Sequence, residues 1–437
     1  MKKFNVLFLT FLLSLSILPS AYAVEVKEVI SPSGIKAWLV QDNSLAVTAL
    51  EFSFVGAGSE KDPAGLEGLA NMASSLIDEG AGSIDSRTFQ GKLNDLSITL
   101  RYSARLDSFG GSFYTLNRYR DDAIELLRLS LNDPRFDEEP VARIRNQTIV
   151  GIKRRETDPD SIASRTLWKS LFPSHHYGRE RNGTLESAAA ITADDMRQFV
   201  KNAFTKDNLI VGAVGDITPD ELGEILDKTF GALPQGNGKA ITTPTQPKLS
   251  DDTIVVEMDV PQSVISFVQG GIARDDKDFY TAYVLNHMLG GGGFSSRLTT
   301  EIREKRGLAY SVYSHLYPLE DAALWIGGAA TQNARAAETI SLIKSEWQRL
   351  QNEGVDADEL RDAKTFLTGA YPLRFTNSKN IAGMLVSLQR DNLGMDYFDR
   401  RNSLIDAVNQ DDIKRVAKRL MKPDNLTIVV VGSPEGL

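Results

Sequence analysis

The sequence predicts an α+β protein built from two homologous halves, each a mixed β-sheet with helices packed on one face. Three observations carry this. Segments of period two and period 3.6 are intermixed without regular strand–helix–strand alternation, which argues against a parallel doubly wound sheet. A helix-to-strand unit recurs without gaps: Asp194-Asp195 matches Asp411-Asp412, an offset of 217 (411 − 194), and at the same offset Asp207-Asn208-Leu209 matches Asp424-Asn425-Leu426 and Val214-Gly215 matches Val431-Gly432. A repeat this long means duplicated domains rather than a solenoid. Between the copies, residues 234–252 (PQGNGKAITTPTQPKLSDD) are polar, with three prolines and two glycines, and read as an extended linker. The expected organisation is a leader at 1–23, a first half at 24–233, the linker, and a second half at 253–437.

The chain has 437 residues, of which 42% are hydrophobic, enough for two sizeable cores. Residues 1–23 combine a basic start (Lys2, Lys3), an apolar run and a small-x-small end, Ala21-Tyr22-Ala23. This is the pattern of a cleaved secretory signal peptide, too short to span a bilayer, and it implies a periplasmic protein without a membrane anchor after cleavage. Removing it takes the net charge from −9 to −11 (−9 − 2). An acidic chain without a basic tract argues against nucleic acid as a partner. With no cysteine, disulfides, thiolate metal sites and cysteine nucleophiles are excluded.

Along the first half, residues 46–55 read as a strand. Residues 66–79 place Leu69, Met72, Ala73 and Leu76 on one helical face, stopped by Gly80. A helix near 86–96 precedes strands at 98–106 and 109–116, paired across a turn. Helices fit 119–132, 138–156 and 161–171, with Asp133-Pro134 as punctuation, and a helix at 193–204 feeds a strand at 209–215. The second half has a strand at 264–270. Then comes GGGGFSSRLTTEIREKRGLAYSVYS, residues 290–314: a glycine loop, a helix from about 295 to 306, a stop at Gly307, and a strand over 308–317. A short turn brings Arg303 near the helix end close to Tyr310 near the strand start. Residue types alone favour packing for this pair, since arginine suits a helix C-terminus and tyrosine a strand.

Common catalytic motifs are absent. There is no phosphate-binding P-loop, no dinucleotide fingerprint and no G-x-S-x-G elbow. Ser341 and Lys344 have S-x-x-K spacing but sit in an amphipathic helix without companion motifs. His175 and His176 are adjacent, and neighbours in sequence do not share a helix face; His287 and His315 lack an i,i+4 partner. All four histidines therefore read as structural or solvent-facing.

The two halves, the linker, the segment GAGSEKDPAGLEGLANMASSLIDEG, the loop His176-Tyr177-Gly178-Arg179 and above all the run RLTTEIREKRGLAYSVYS resemble the pitrilysin/insulinase family of zinc metallopeptidases, which includes the mitochondrial processing peptidases. The resemblance covers nearly the whole chain beyond the leader. It implies a processing-peptidase-like metallohydrolase fold. In active members an H-x-x-E-H helix supplies two zinc-binding histidines and a water-activating glutamate, and a later glutamate is the third ligand. The corresponding positions here are Asn71, Ser74, Ser75 and Gly151, none of which suits zinc. Active members also hold substrate with an R-x6-Y pair from the second half, and Arg303 and Tyr310 have that spacing. The resemblance thus implies a metal-lacking subunit that supplies Arg303 and Tyr310 in trans to a zinc-bearing homologous partner for peptide hydrolysis. The isolated chain would be inactive and zinc would reside in the partner. The alternative is a non-catalytic periplasmic peptide-binding or scaffold protein on the same fold. Tyr313, three residues beyond Tyr310, is expected on the opposite strand face.

Overall fold

The computed structural model describes residues 25–237 and 243–437; the expected leader and the middle of the linker lie outside the described residues. In the first half the strands are β1 (Lys27–Ile30), β2 (Lys36–Gln41), β3 (Val47–Val55), β4 (Thr99–Ala104), β5 (Ser108–Leu116) and β6 (Leu209–Gly215). Its helices are α1 (Leu69–Ser74), α2 (Ser86–Asp95), α3 (Arg120–Asn132), α4 (Glu138–Glu156), α5 (Pro159–Leu171), α6 (Leu185–Ala190), α7 (Ala193–Ala203) and α8 (Pro219–Phe230). In the second half the strands are β7 (Thr253–Glu257), β8 (Gln262–Gly270), β9 (Ala309–Pro318), β10 (Ala323–Gln332) and β11 (Thr427–Gly432). The helices are α9 (Phe279–Asn286), α10 (Ala336–Glu353), α11 (Ala357–Gly369), α12 (Ser378–Arg390), α13 (Tyr397–Asp406) and α14 (Gln410–Leu420).

The sheets run β1-β2-β6-β3-β5-β4 and β7-β11-β8-β10-β9. Setting β1 aside, they superimpose in topology: one parallel pair, β2 with β6 and β7 with β11, and antiparallel pairing elsewhere. The repeated dipeptides have local causes. The Asp-Asp pairs sit in the first turns of α7 and α14, where Thr192 and Asn409 cap the backbone N–H groups of Asp195 and Asp412. The repeated glycines end β6 and β11 at φ +144° and +152°, and a Cβ on Gly215 would stand 2.1 Å from the Val47 carbonyl oxygen.

In their central strands β6 and β11 both sheets are apolar on both faces. Along β6, Val211 and Ala213 face helices of their own half while Gly212 and Val214 face α12, a helix of the other half. Along β11, Ile428 and Val430 face their own helices, and Val429 and Val431 meet α5 of the first half through Ala163, Leu167 and Leu171. Each half therefore covers one face of its sheet with its own helices and lends one helix to the other half. Full burial of each such aliphatic side chain contributes roughly 1.5–3 kcal/mol. The described end of the linker straps this seam: Lys248 N–H donates to the Leu171 carbonyl at 2.8 Å, and Thr245 N–H to that of Asp321 at 2.7 Å.

At the entrance to α9, buried Asp278 accepts hydrogen bonds from Arg415 (2.8 and 2.9 Å) and Arg419 (2.7 Å) of α14. The bonds from Arg415 outweigh the cost of burial and hold its carboxyl at about 2, against an ordinary 3.8.

Two consequences can be measured. A Cβ at Gly212 would lie 2.5 Å from the Ala382 carbonyl oxygen and 2.8 Å from Leu385 Cβ. Gly212→Val is expected to lift α12 and cost about 1–3 kcal/mol in denaturant unfolding; an unchanged midpoint would show that the helix is not seated there. For Asp278, a depressed folded-state pKa contributes stability that is complete above 3.8 and lost as pH falls through about 2. Asp278→Asn is expected to lower stability at pH 7 by about 1–2 kcal/mol, the half-exposed arginines limiting the effect. The gap from wild type should close as the pH approaches 2, and a constant gap would contradict the linkage.

Candidate functional site

The helix that carries the family's zinc motif begins at Gly68, at φ +89°. Buried Asp62 accepts the backbone N–H groups of Gly68 (2.8 Å) and Ala70 (2.9 Å), and burial raises its carboxyl to about 6 against those bonds. The helix expected over 66–79 is confined to Leu69–Ser74. Its end has a local cause: Ser74 and Ser75 both turn their hydroxyls back onto the Asn71 carbonyl, at 2.8 and 3.1 Å. Asn71 is half-buried, Ser74 buried and Ser75 exposed. Gly151 lies on α4, which packs against α1, and a Cβ there would meet only Arg155 Nη1, at 3.4 Å. Among the described residues, the groups of potential metal donors lie elsewhere. An amide, two hydroxyls engaged with backbone and a glycine offer neither zinc ligands nor a base.

In the second half, the glycine run is not a loose loop. His287–Gly291 continues α9 as a wide helical turn, and a Cβ on Gly290 would meet Ser314 Oγ at 2.6 Å. The helix expected over 295–306 is shorter, with wide turns over Thr299–Glu304. Gly307 then adopts φ +61°, its N–H donating to the Arg303 carbonyl while Leu308 N–H reaches Ile302, both at 2.9 Å. This reversal delivers β9, an edge strand.

Arg303 and Tyr310 meet as expected. The guanidinium carbon lies 4.8 Å from the centre of the Tyr310 ring and 4.6 Å from that of Phe294. A sequence reading based on R-x6-Y spacing misses Phe294; its signal is an aromatic inside a glycine run. Tyr310 is 83% exposed and Phe294 65%. Arg303 has no carboxylate partner and the Tyr310 hydroxyl no hydrogen bond among the described residues. The pair flanks a cleft of about 300 Å³ shared with Gln262, Thr331 and Gln332. This arrangement can hold a peptide carbonyl and donate one hydrogen bond to a developing oxyanion.

Tyr313 does not lie on the opposite face. The β9–β10 register slips between Ala329–Val312 and Thr331–Ala309, so two β9 residues oppose one of β10. The bulge leaves Tyr310, Ser311 and Tyr313 exposed together, while Ala309, Val312 and Ser314 are buried.

The His176–Arg179 loop joins the halves. Tyr177 is buried, and its hydroxyl oxygen accepts the Asp321 N–H at 3.1 Å across the seam. Adjacent His175 and His176 converge after all, because the loop turns there: their rings lie tilted against each other, centres 3.9 Å apart, and face Asp107 and Asp321. Burial, then the neighbouring His176, lowers the pKa of His175. Glu60, beside Asp107, is pushed up to about 8, first by burial and then by that carboxylate.

A family model described as the peptidase M16 inactive domain matches residues 190–367. The non-peptidase homolog YmxG of Helicobacter pylori is 30% identical over 338 residues, 76% of this chain and 77% of that protein. The mitochondrial-processing peptidase subunit beta of Blastocladiella emersonii is 27% identical over 311 residues, 68% of this chain and 66% of its own. A solved structure of a peptidase M16 inactive domain from Pseudomonas fluorescens superimposes with a TM-score of 0.87 at 27% identity, covering 94% of this chain and 98% of that one. The chain, which has no H-x-x-E-H motif, belongs to the M16 (pitrilysin/insulinase) peptidase family.

Proposed function

We propose that this protein is the metal-lacking subunit of a periplasmic heterodimeric zinc peptidase, presenting Arg303 and Tyr310 to the active site of a zinc-bearing homologue. The observation that carries the reading is the Arg303–Tyr310 pair itself. It is exposed and without a carboxylate or hydroxyl partner among the described residues, in a chain whose own zinc helix has no ligands. Two exposed aromatic rings clamped on an arginine gain only about 0.5–1 kcal/mol from the cation–π contact, so the isolated chain has little reason to hold them in water. Export rests on the leader pattern of residues 1–23. In the complex, the partner's zinc would polarise the scissile carbonyl and supply the attacking hydroxide. Tyr310 would donate to the oxyanion, and Arg303 would hold a nearby peptide carbonyl and keep the scissile bond in register.

A second reading has its own observation. β9 is a sheet edge, and an exposed edge can capture an extended peptide by strand addition without any hydrolysis. The bulge at Tyr310–Ser311 interrupts that edge and limits the length of strand it can pair.

Two experiments separate the readings. Mixing the mature chain with an H-x-x-E-H homologue from the same cell should give one sedimenting species, with an interface of at least ~1,200 Å²; separate species with every such homologue would sink the heterodimer. In the assembled enzyme, Tyr310→Phe should lower kcat by roughly 10²–10³ with assembly intact, and Arg303→Ala should also raise KM. Arg361→Ala, an exposed residue of α11, serves as the control because Tyr313 shares the face of Tyr310. If both site variants stay within about twofold of wild-type kcat/KM, the strand-capture reading replaces the catalytic one.

A further inference from the structure

The seam between the halves holds a second constellation, built from residues other than the Asn71 and Arg303 sites. Five acidic or imidazole side chains meet there from separate segments. Glu60 comes from the turn after β3, Asp107 from the β4–β5 hairpin, His175 and His176 from the loop after α5, and Asp321 from the β9–β10 hairpin. His175 Nε2 lies 3.6 Å from Asp321 Oδ2, and His176 Nε2 lies 3.9 Å from both Asp107 Oδ1 and Asp321 Oδ2. Glu60, Asp107 and His176 bring donor atoms within 4.8 Å of one another, as do His175, His176 and Asp321.

Each of the five side chains carries one buried atom without a hydrogen-bond partner: Glu60 Oε1, Asp107 Oδ1, His175 Nε2, His176 Nε2 and Asp321 Oδ1. The Asp321 side chain is only 6% exposed. Five orphaned polar atoms in one place are costly, since each unsatisfied buried group forfeits about 1–3 kcal/mol. The gaps are too wide for hydrogen bonds, yet close to the spacing of about 3.3 Å between two donors that each stand 2.0–2.1 Å from one tetrahedral ion.

We propose that His175, His176 and Asp321, flanked by Glu60 and Asp107, form a structural zinc site that pins the two halves together. His176 Nε2 is the central ligand, since it faces both aspartates. Tyr177 N–H lies 3.3 Å from His175 Nδ1, a long bond that is given up when zinc takes Nε2 and the ring proton moves to Nδ1. The remaining contacts brace the donors: Glu320 N–H donates to Asp107 Oδ2 at 3.3 Å, and Tyr177 holds the backbone of Asp321. Imidazoles with a carboxylate suit zinc better than magnesium or calcium, which favour oxygen alone. A cavity of about 390 Å³, bordered by Glu60, Asp107, His176 and Asp321, gives the ion a route in. Because Asp321 belongs to the second half and the other donors to the first, binding would resist separation of the halves. The site uses none of Asn71, Ser74, Ser75 and Gly151, and it departs from the expectation, drawn from those positions, that this chain holds no zinc.

The test uses the mature chain without a partner, first stripped of metal by chelator. Titration with zinc, followed by calorimetry and thermal unfolding, should give one site of micromolar or tighter affinity and raise the melting temperature; magnesium should do neither. His176→Gln and Asp321→Asn should each weaken zinc binding at least about tenfold, because each removes a direct ligand. Ser74→Ala should bind as wild type. Circular dichroism of the metal-free variants checks that they fold, and Co²⁺ absorption of the wild type, lost in His176→Gln, reports ligation directly. No saturable binding at millimolar zinc, or binding that survives both ligand variants, would overturn the proposal.

Discussion

A sheet with apolar side chains on both faces cannot leave either face to water, and this requirement organises the molecule. In each half the sheet's own helices lie on one side. The other side is closed by a helix from the opposite half, α5 over β8 and β11, and α12 over β6 and β3. The exchange explains why the halves are held by packing as well as by a linker. It explains why glycine occupies position 212, where α12 comes nearest to the strand. It also explains why Tyr177, immediately after α5, reaches a backbone group of the second half. The edge strand bearing Tyr310 is placed by the same sheet that α5 closes.

Much of this was legible in the sequence, because periodicity and turn chemistry are local. The strand expected at 209–215 and the helix at 138–156 have the bounds the structure shows. The 217-residue offset marks two helix–strand units that occupy equivalent places in their sheets. What escaped depends on contacts distant in sequence. The short strand β7 has its pairing partner β11 far along the chain, and β1 and β2 went unread in spite of the Ser31-Pro32-Ser33-Gly34 turn between them. The helix at 66–79 was overcalled because its apolar spacing is real while serine back-bonding ends it early. Tyr313 was assigned to the wrong face because a bulge breaks the period of two, and a bulge leaves no mark in residue type. The paired histidines were judged by helix geometry, whereas they sit in a loop that turns their rings together.

The two segments singled out by the resemblance differ physically. α1 has a left-handed glycine entrance and an Asp62 cap, and it carries no histidine or carboxylate. The helix is thus retained as part of the core, to which Leu69, Ala70, Met72 and Ala73 contribute, and its fold does not depend on metal. The Arg303 and Tyr310 side chains contribute to no core. Buried residues explain the first segment and a surface constellation is what remains to explain in the second, which is the physical basis for assigning structure to one and recognition to the other.

The helix exchange also sets the order of events as the chain emerges. The strand β11, which α5 covers together with β8, is made more than half a chain length later, so the seat of α5 is not complete until nearly all of the polypeptide is present. Contacts of that separation pay a large loop-closure entropy before they return any stabilisation, and they slow folding. A newly made first half therefore exposes an adhesive surface for the time needed to complete the second, and the chain is most vulnerable to aggregation and proteolysis during that interval.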